Sequence, residues 1–385
     1  MDPSSETKRT SICFAYNREG GWWRREWYIF DISSEDHKFE EGISTSAGRW
    51  CLEVEGLEWL IPKAFIYDDE ASEPGWAVVG HHVYILGGAI PARDSCFKRD
   101  TKCVRRNDLL SPVCDPHTKG SLDDGWRIQP RMLSPRSHPK ATAVVGGKIY
   151  VFGGLSDSDR RHRVSDRHPW AEVYDPKPNK WMPLPHPPSV PKAKFLLAAS
   201  WEEEETNNCY IAILSIRDRV LLLYDVANHC WTQSELPNSI HGAALDFPHH
   251  GQAVVAGGLF CWFAPSTRIL YAYDLERKIL HTSSPLDPKT FADVWLDGRE
   301  EPMLGHLGGN TFFLLFTCRP KLDDPTKRKR KINGRTLQRI NFLHCLKFNV
   351  TFSAPNGINI SLASCQSYLL NAGYVRNGFT STSYV

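Results

Sequence analysis

What the chain lacks narrows it first. It has no charge imbalance: 46 basic residues against 44 acidic ones leave a formal charge of +2. So neutral a chain has no electrostatic claim on a nucleic-acid backbone or an anionic membrane. It has no run of about 18 apolar residues, so no membrane-spanning helix is expected. Residues 1–10 are polar and lack the apolar stretch of a signal peptide, and read as a short disordered N-terminus. The 11 cysteines are odd in number and scattered. With no secretion signal they read as reduced thiols, not as a disulfide framework, and the expected location is the cytoplasm or the nucleus. No Gly-x-Ser-x-Gly elbow, phosphate-binding loop or dinucleotide fingerprint occurs. Disorder is excluded as well, because 41% of the residues are hydrophobic and can build a core.

What is there is a repeat. Residues 141–154 read ATAVVGGKIYVFGG, residues 75–88 read GWAVVGHHVYILGG, and residues 249–258 read HHGQAVVAGG. Each carries a glycine pair, at Gly87-Gly88, Gly153-Gly154 and Gly257-Gly258. Short β-branched and aromatic runs around a tight turn are hairpins. The glycine pair reads as the end of a second strand, where the backbone bends or packs closely. A second cassette follows. Tyr174-Asp175-Pro176 leads to Trp181, six residues after the Asp, and Tyr224-Asp225 leads to Trp231 by the same step. Cys114-Asp115-Pro116 leads to Trp126 by a longer one, and Tyr273-Asp274 has no Trp behind it. Asp and Pro open a turn at the end of a third strand, and Trp supplies a large apolar plate on a fourth. Four strands per unit, recurring every ~50 residues, make a propeller blade.

Glycine pair, Tyr, then Trp after a fixed step resembles the kelch repeat, best in residues 136–280. The resemblance implies an all-β fold, a kelch-type β-propeller of four-stranded blades. Third strands are expected to end at Phe30-Asp31, Cys114-Asp115, Tyr174-Asp175, Tyr224-Asp225, Tyr273-Asp274 and Phe348-Asn349. Second strands are expected near residues 12–16, 83–86, 149–152, 211–216, 252–256 and 311–317. That is six blades, with seven as the alternative if residues 50–67 belong to another. The ring spans residues 11–370, with 371–385 as a tail, and a terminal strand at 358–370 is expected to close it. Kelch rings mostly bind proteins and carry no cofactor. In plants a large class joins such a ring to an F-box, a helical segment that docks a ubiquitin-ligase core, and these blades are most similar to that class. Only residues 1–11 precede the first strand, so the docking segment is expected to be absent. The expectation is a non-enzymatic module that binds a protein partner, related to ligase substrate adaptors. It reaches ligase components, if at all, through another subunit, and uses neither nucleic acid nor membrane.

Partner-binding candidates come from the loops that lead into inner strands at the channel mouth, because loops on a rigid scaffold carry function. Arg136, in Pro135-Arg136-Ser137-His138, occupies the loop whose Arg faces the channel in similar repeats, and its planar fork suits carboxylates. Trp76, His241 and His306 stand in comparable loops. The basic run Lys327-Arg328-Lys329-Arg330-Lys331 fits a nuclear signal or an ordinary solvated loop. No metal site is expected. Cys96, Cys103, Cys114 and His117 lack the close pairing of zinc ligands. The pairs His81-His82 and His249-His250 would point apart if both lay on a strand. The alternative function is a metal-dependent or small-ligand-binding propeller enzyme. Kelch-type copper oxidases and plant iron-dependent specifier proteins show that the fold admits one. The iron spacing Glu-x-x-x-Asp-x-x-x-His is missing: Glu172 is followed by Asp175 one residue too soon.

Overall fold

The structure is a computed structural model that describes residues 10–18, 24–32, 58–59, 64–67, 74–91, 98–109, 125–136, 139, 141–154, 168–191, 196–203, 208–237, 253–286, 302–318, 331–332, 335–336, 340–353 and 357–371. Among these residues every regular element is a β-strand. The first blade is β1 (Thr10–Arg18), β2 (Arg24–Ile32) and β4 (Ala64–Tyr67), with the short β3 (Glu58–Trp59) elsewhere. The second is β5 (Gly75–Val79), β6 (His82–Leu86), β9 (Val104–Asp108) and β10 (Arg127–Gln129). A small hairpin, β7 (Ala89–Pro91) and β8 (Lys98–Asp100), rises from its middle. The third is β11 (Ala141–Val145), β12 (Lys148–Phe152), β13 (Ala171–Asp175) and β14 (Lys180–Pro183). The fourth is β15 (Leu197–Glu203), β16 (Asn208–Ser215), β17 (Val220–Asp225) and β18 (Cys230–Glu235). The fifth is β19 (Val254–Ala256), β20 (Leu259–Ala264), β21 (Ile269–Asp274) and β22 (Leu280–Ser283). The sixth is β23 (Met303–Gly308), β24 (Thr311–Cys318), β27 (Ile340–Ser353) and β28 (Gly357–Asn371), with a hairpin of β25 (Lys331–Ile332) and β26 (Arg335–Thr336) between its middle strands.

Among the described residues the strands form six antiparallel blades, the first of three strands and the others of four, and no seventh. Residues 64–67 of the 50–67 stretch pair with β2 as the third strand of blade one. Three third-strand assignments move, the last because Phe348-Asn349 lies inside β27, which runs on to Ser353. Phe30-Asp31 lies on the second strand of its blade, because Thr10–Arg18 is already the first. In blade two the third strand ends at Asn107-Asp108, while Cys114-Asp115 lies outside the described residues. Gly257-Gly258 also changes role. The pair forms the two-residue turn between β19 and β20 at φ of 54° and 75°, as Gly146-Gly147 does between β11 and β12 at 56° and 73°. Only Gly87-Gly88 and Gly153-Gly154 follow second strands. Of residues 252–256, Val254–Ala256 is accordingly the first strand of a blade, and 252 lies outside the described residues.

Burial explains the strand sequences. Second strands lie between two neighbouring blades and are covered on both faces. They therefore read as unbroken apolar runs: Ile149-Tyr150-Val151-Phe152 and Phe260-Cys261-Trp262-Phe263 are all buried. Fourth strands form the rim and are largely exposed, as in β18. Six apolar clusters fill the structure. One runs from Tyr84, Leu86 and Val104 of blade two to Ile149, Tyr174 and Trp181 of blade three. Another puts Tyr28 of blade one among Met303, Phe313, Leu315 and Leu343 of blade six, so the two ends of the chain meet. The terminal strand β28 is the outer strand of its own blade, antiparallel to β27. It also runs parallel to β22 through Thr282 and Ser283, and to β3 through Tyr368 and Leu369.

The two ends of the strands differ. At one end adjacent strands turn back within a few residues: 80–81, 146–147, 176–179, 226–229, 257–258 and 275–279. The exception there is 109–126. At the other end lie the connections between blades and between second and third strands; 153–170, 236–253, 284–302 and 319–339 are long, while 216–219 and 265–268 are four-residue turns.

Candidate functional site

The repeat signature and the described site candidates each have a place in the structure. The Tyr-Asp piece works as a turn starter. Asp175 Oδ1 accepts the Lys177 N–H at 3.0 Å, Asp225 Oδ1 the Asn228 N–H at 2.9 Å, and Asp274 Oδ1 the Arg277 N–H at 2.7 Å. These turns then need a left-handed residue, which Asn179, His229 and Lys278 supply at φ of 55°, 52° and 59°. Asn179 and His229 each reach back to the tyrosine hydroxyl of their blade, at Tyr174 and Tyr224. The backbone and side-chain bonds from Asn228 hold the Asp225 carboxyl below the usual carboxylate range. Burial pushes the Tyr174 phenol up to about 12.

Trp181 and Trp231 stand directly opposite Tyr174 and Tyr224 in register, with ring centroids 5.1 and 4.7 Å apart. Each indole crosses to the preceding blade. Trp181 Nε1 donates to Pro130 O at 2.9 Å, and Trp231 Nε1 to Pro185 O at 2.8 Å. The prolines after the tryptophans are thus acceptors for the next blade's plate. In blade five Leu280 stands opposite Tyr273, and no such tie forms there.

Arg136 is the largest correction. Its side chain is fully buried and paired with a carboxylate of its own chain. Nε donates to Glu172 Oε1 at 2.9 Å, and Nη2 lies 2.8 Å from the same oxygen. Nη1 donates to the carbonyls of Gly153 and Trp170, and Nη2 to that of Pro169. Glu172 Oε2 accepts the Leu133 N–H at 2.6 Å, and Oε1 also accepts the Ser134 N–H at 3.3 Å. The Arg136 backbone binds the other way, taking the Gly88 N–H at 2.8 Å and donating to Thr101 O at 3.2 Å. One residue therefore ties three connections at the long-loop end: 130–140 between blades two and three, 87–103 within blade two and 153–170 within blade three. Burial lowers the guanidinium pKa and Glu172 raises it back, and an arginine stays charged in any case. The fork that suits a carboxylate already holds one from its own chain.

The other candidates separate. Trp76 lies on β5 and is buried in the blade-two core with Val78, Val83 and Ile85. His306 is half-buried on β23, and its Nε2 lies 2.9 Å from Gly309 O in the following turn, at the end of the strand away from the loop that leads in. His241 and residues 327–330 lie outside the described residues, and Lys331 is the first residue of β25. The sequence reading missed Glu172, which is invisible without knowing that residues 36 positions apart meet. It also set His81-His82 aside on strand alternation. His81 sits in the turn, so the two rings face one another with centroids 4.2 Å apart.

A model of the kelch motif matches residues 136–188, which is blade three together with the arginine that leads into it. The all-β fold of four-stranded antiparallel sheets is consistent with a kelch-type β-propeller. The chain resembles F-box/kelch-repeat proteins of Arabidopsis thaliana. One is 37% identical over 111 residues, 28% of this chain and 23% of that protein. A second is 46% identical over 105 residues, 27% and 24%. A third is 26% identical over 164 residues, 42% and 34%. The matches thus span about a quarter to a third of the length of these relatives. Among solved structures, a nidogen/laminin complex overlays 94% of this chain and 98% of its own at 9% identity and a TM-score of 0.39.

Proposed function

We propose that the ring is a non-enzymatic protein-interaction module whose partner docks on the end that carries the long connections. The observation that supports this is the difference between the two ends. The tight-turn end is built from Asp and Gly turns closed by their own hydrogen bonds. The opposite end carries most of the chain that is not needed to form blades, set on a rigid frame. Arg136 and Glu172 serve this end from beneath, as positioning residues that fix three of its connections. His241 lies in one such connection, 236–253, and remains a partner-binding candidate. The similarity to F-box/kelch-repeat proteins supports placing the ring beside the substrate adaptors of ubiquitin ligases.

The test is affinity capture with two variants. One replaces residues 238–252 by a Gly/Ser stretch of equal length, and the other replaces the tight turn 226–229 by Asp-Gly-Asn-Gly. Both should keep the far-UV circular dichroism of the parent. The first should lose a partner that the parent and the second retain. Retention of the same partners by all three would refute the assignment of the binding end, and stoichiometric iron or copper in the purified protein would refute the non-enzymatic reading.

A further inference from the structure

Blade two departs from its neighbours at one register position. In each of the four middle blades the aspartate that ends the third strand faces a residue of the second strand. Lys148 faces Asp175 and binds it at 3.1 Å, Tyr210 faces Asp225, and Leu259 faces Asp274. In blade two the residue facing Asp108 is His82. The preceding turn position, glycine in blades three and five at Gly147 and Gly258, is His81. An ion pair and a bare turn have been exchanged for two imidazoles and a carboxylate.

The backbone fixes all three. His82 and Asp108 are direct partners in an antiparallel ladder, so their side chains leave the same face. His81 is held by the Leu109 N–H, which donates to its carbonyl at 2.8 Å. One ligand atom from each residue lies within 4.8 Å of the others, and His81 Nε2 is 3.9 Å from Asp108 Oδ1. Closing on an ion held at about 2.0–2.2 Å asks only for side-chain rotation. His81 and Asp108 are 44% and 38% exposed, which leaves a path from solvent.

From this geometry we infer a divalent transition-metal site formed by His81, His82 and Asp108, of the zinc(II) class. Two imidazoles with one carboxylate suit Zn²⁺, Co²⁺ or Ni²⁺, whereas Ca²⁺ and Mg²⁺ want oxygen alone. Three protein ligands leave a fourth position for water or another donor. The site lies at the tight-turn end, away from the proposed docking end, and stands or falls independently of it.

Calorimetric titration of the whole protein with Zn²⁺ at pH 7.5 tests the site, backed by Co²⁺ absorption spectra. The parent should bind one saturable equivalent and melt at a higher temperature with Zn²⁺ present. His81→Gly, which installs the residue blade three has there, and Asp108→Asn should each weaken binding by at least about tenfold. Should one variant fold poorly, the other carries the same readout. Replacing both His249 and His250 by Ala should change nothing. Absence of a saturable equivalent, insensitivity to both variants, or a cobalt–thiolate charge-transfer band would overturn the site.

Discussion

Replacing Arg136 by Met should be among the most damaging single changes in the ring. Methionine fills similar volume but carries no donor. It leaves the Glu172 carboxylate, at 0% side-chain exposure, with the Leu133 and Ser134 N–H groups as its partners. It also takes a donor from the carbonyls of Gly153, Trp170 and Pro169. Removing one partner of a buried pair costs about 3–5 kcal/mol. Domain stabilities run about 5–15 kcal/mol, so about a fifth or more would go. Urea unfolding followed by far-UV circular dichroism measures it. The double variant Arg136→Met/Glu172→Leu removes the stranded charge and should recover part of the loss. It leaves about 1–3 kcal/mol from the unpaired backbone groups. A single variant within about 1 kcal/mol of the parent, or a double variant no better than the single one, would refute the reasoning. Arg136→Glu is no probe of binding, because it would set two carboxylates together in a buried junction.

Three further outcomes follow from the same geometry. Gly87 sits at φ +64° with a Cβ position 2.5 Å from Arg136 O, so Gly87→Ala should cost on the order of 3 kcal/mol. Gly146, at φ +56° with open space around it, should cost about 1 kcal/mol on the same change, and paired thermal melts distinguish the two. His344 is buried against Phe316, and burial lowers its pKa to about 4 from 6.5. The unfolded chain takes up that proton near pH 6.5 and the folded one only near 4. The stability is therefore complete above pH 6.5 and falls by up to about 3 kcal/mol as the pH drops to 4. In His344→Gln the slope of unfolding free energy between those pH values should flatten, and an unchanged slope would count against the assignment. Deleting residues 357–385 strips partners from β27, β22 and β3 and removes Ile358 and Leu370 from two clusters. The product should be insoluble on expression, and a monomeric, cooperatively melting truncation would contradict this.

Blades three and four were legible because each keeps both halves of its signature, Tyr174 with Trp181 and Tyr224 with Trp231. Blade five was shifted by one strand because two glycines in sequence satisfy two different demands. A two-residue hairpin turn and the exit from a second strand both need positive φ, and only the ladder shows which one Gly257-Gly258 serves. Blade two was misread because Asn107 takes the tyrosine's place. The eye then passes to the next Asp-Pro, which belongs to the 109–126 connection. Arg136 was legible as special but not as buried, since burial depends on Glu172 meeting it from another strand. The histidine pair failed for a local reason: alternation holds on strands, and His81 is in a turn.

The placement of β28 also orders events in time. A ribosome delivers it after all the other described strands, and it is the strand that joins Thr282-Ser283 and Glu58-Trp59 to the sixth blade. Until it emerges, the outer strand of blade five keeps an open edge, free to recruit a stranger. The growing chain is thus a string of finished hairpins awaiting one late clasp. The interval between making blade five and making β28 is when such a protein most needs a chaperone.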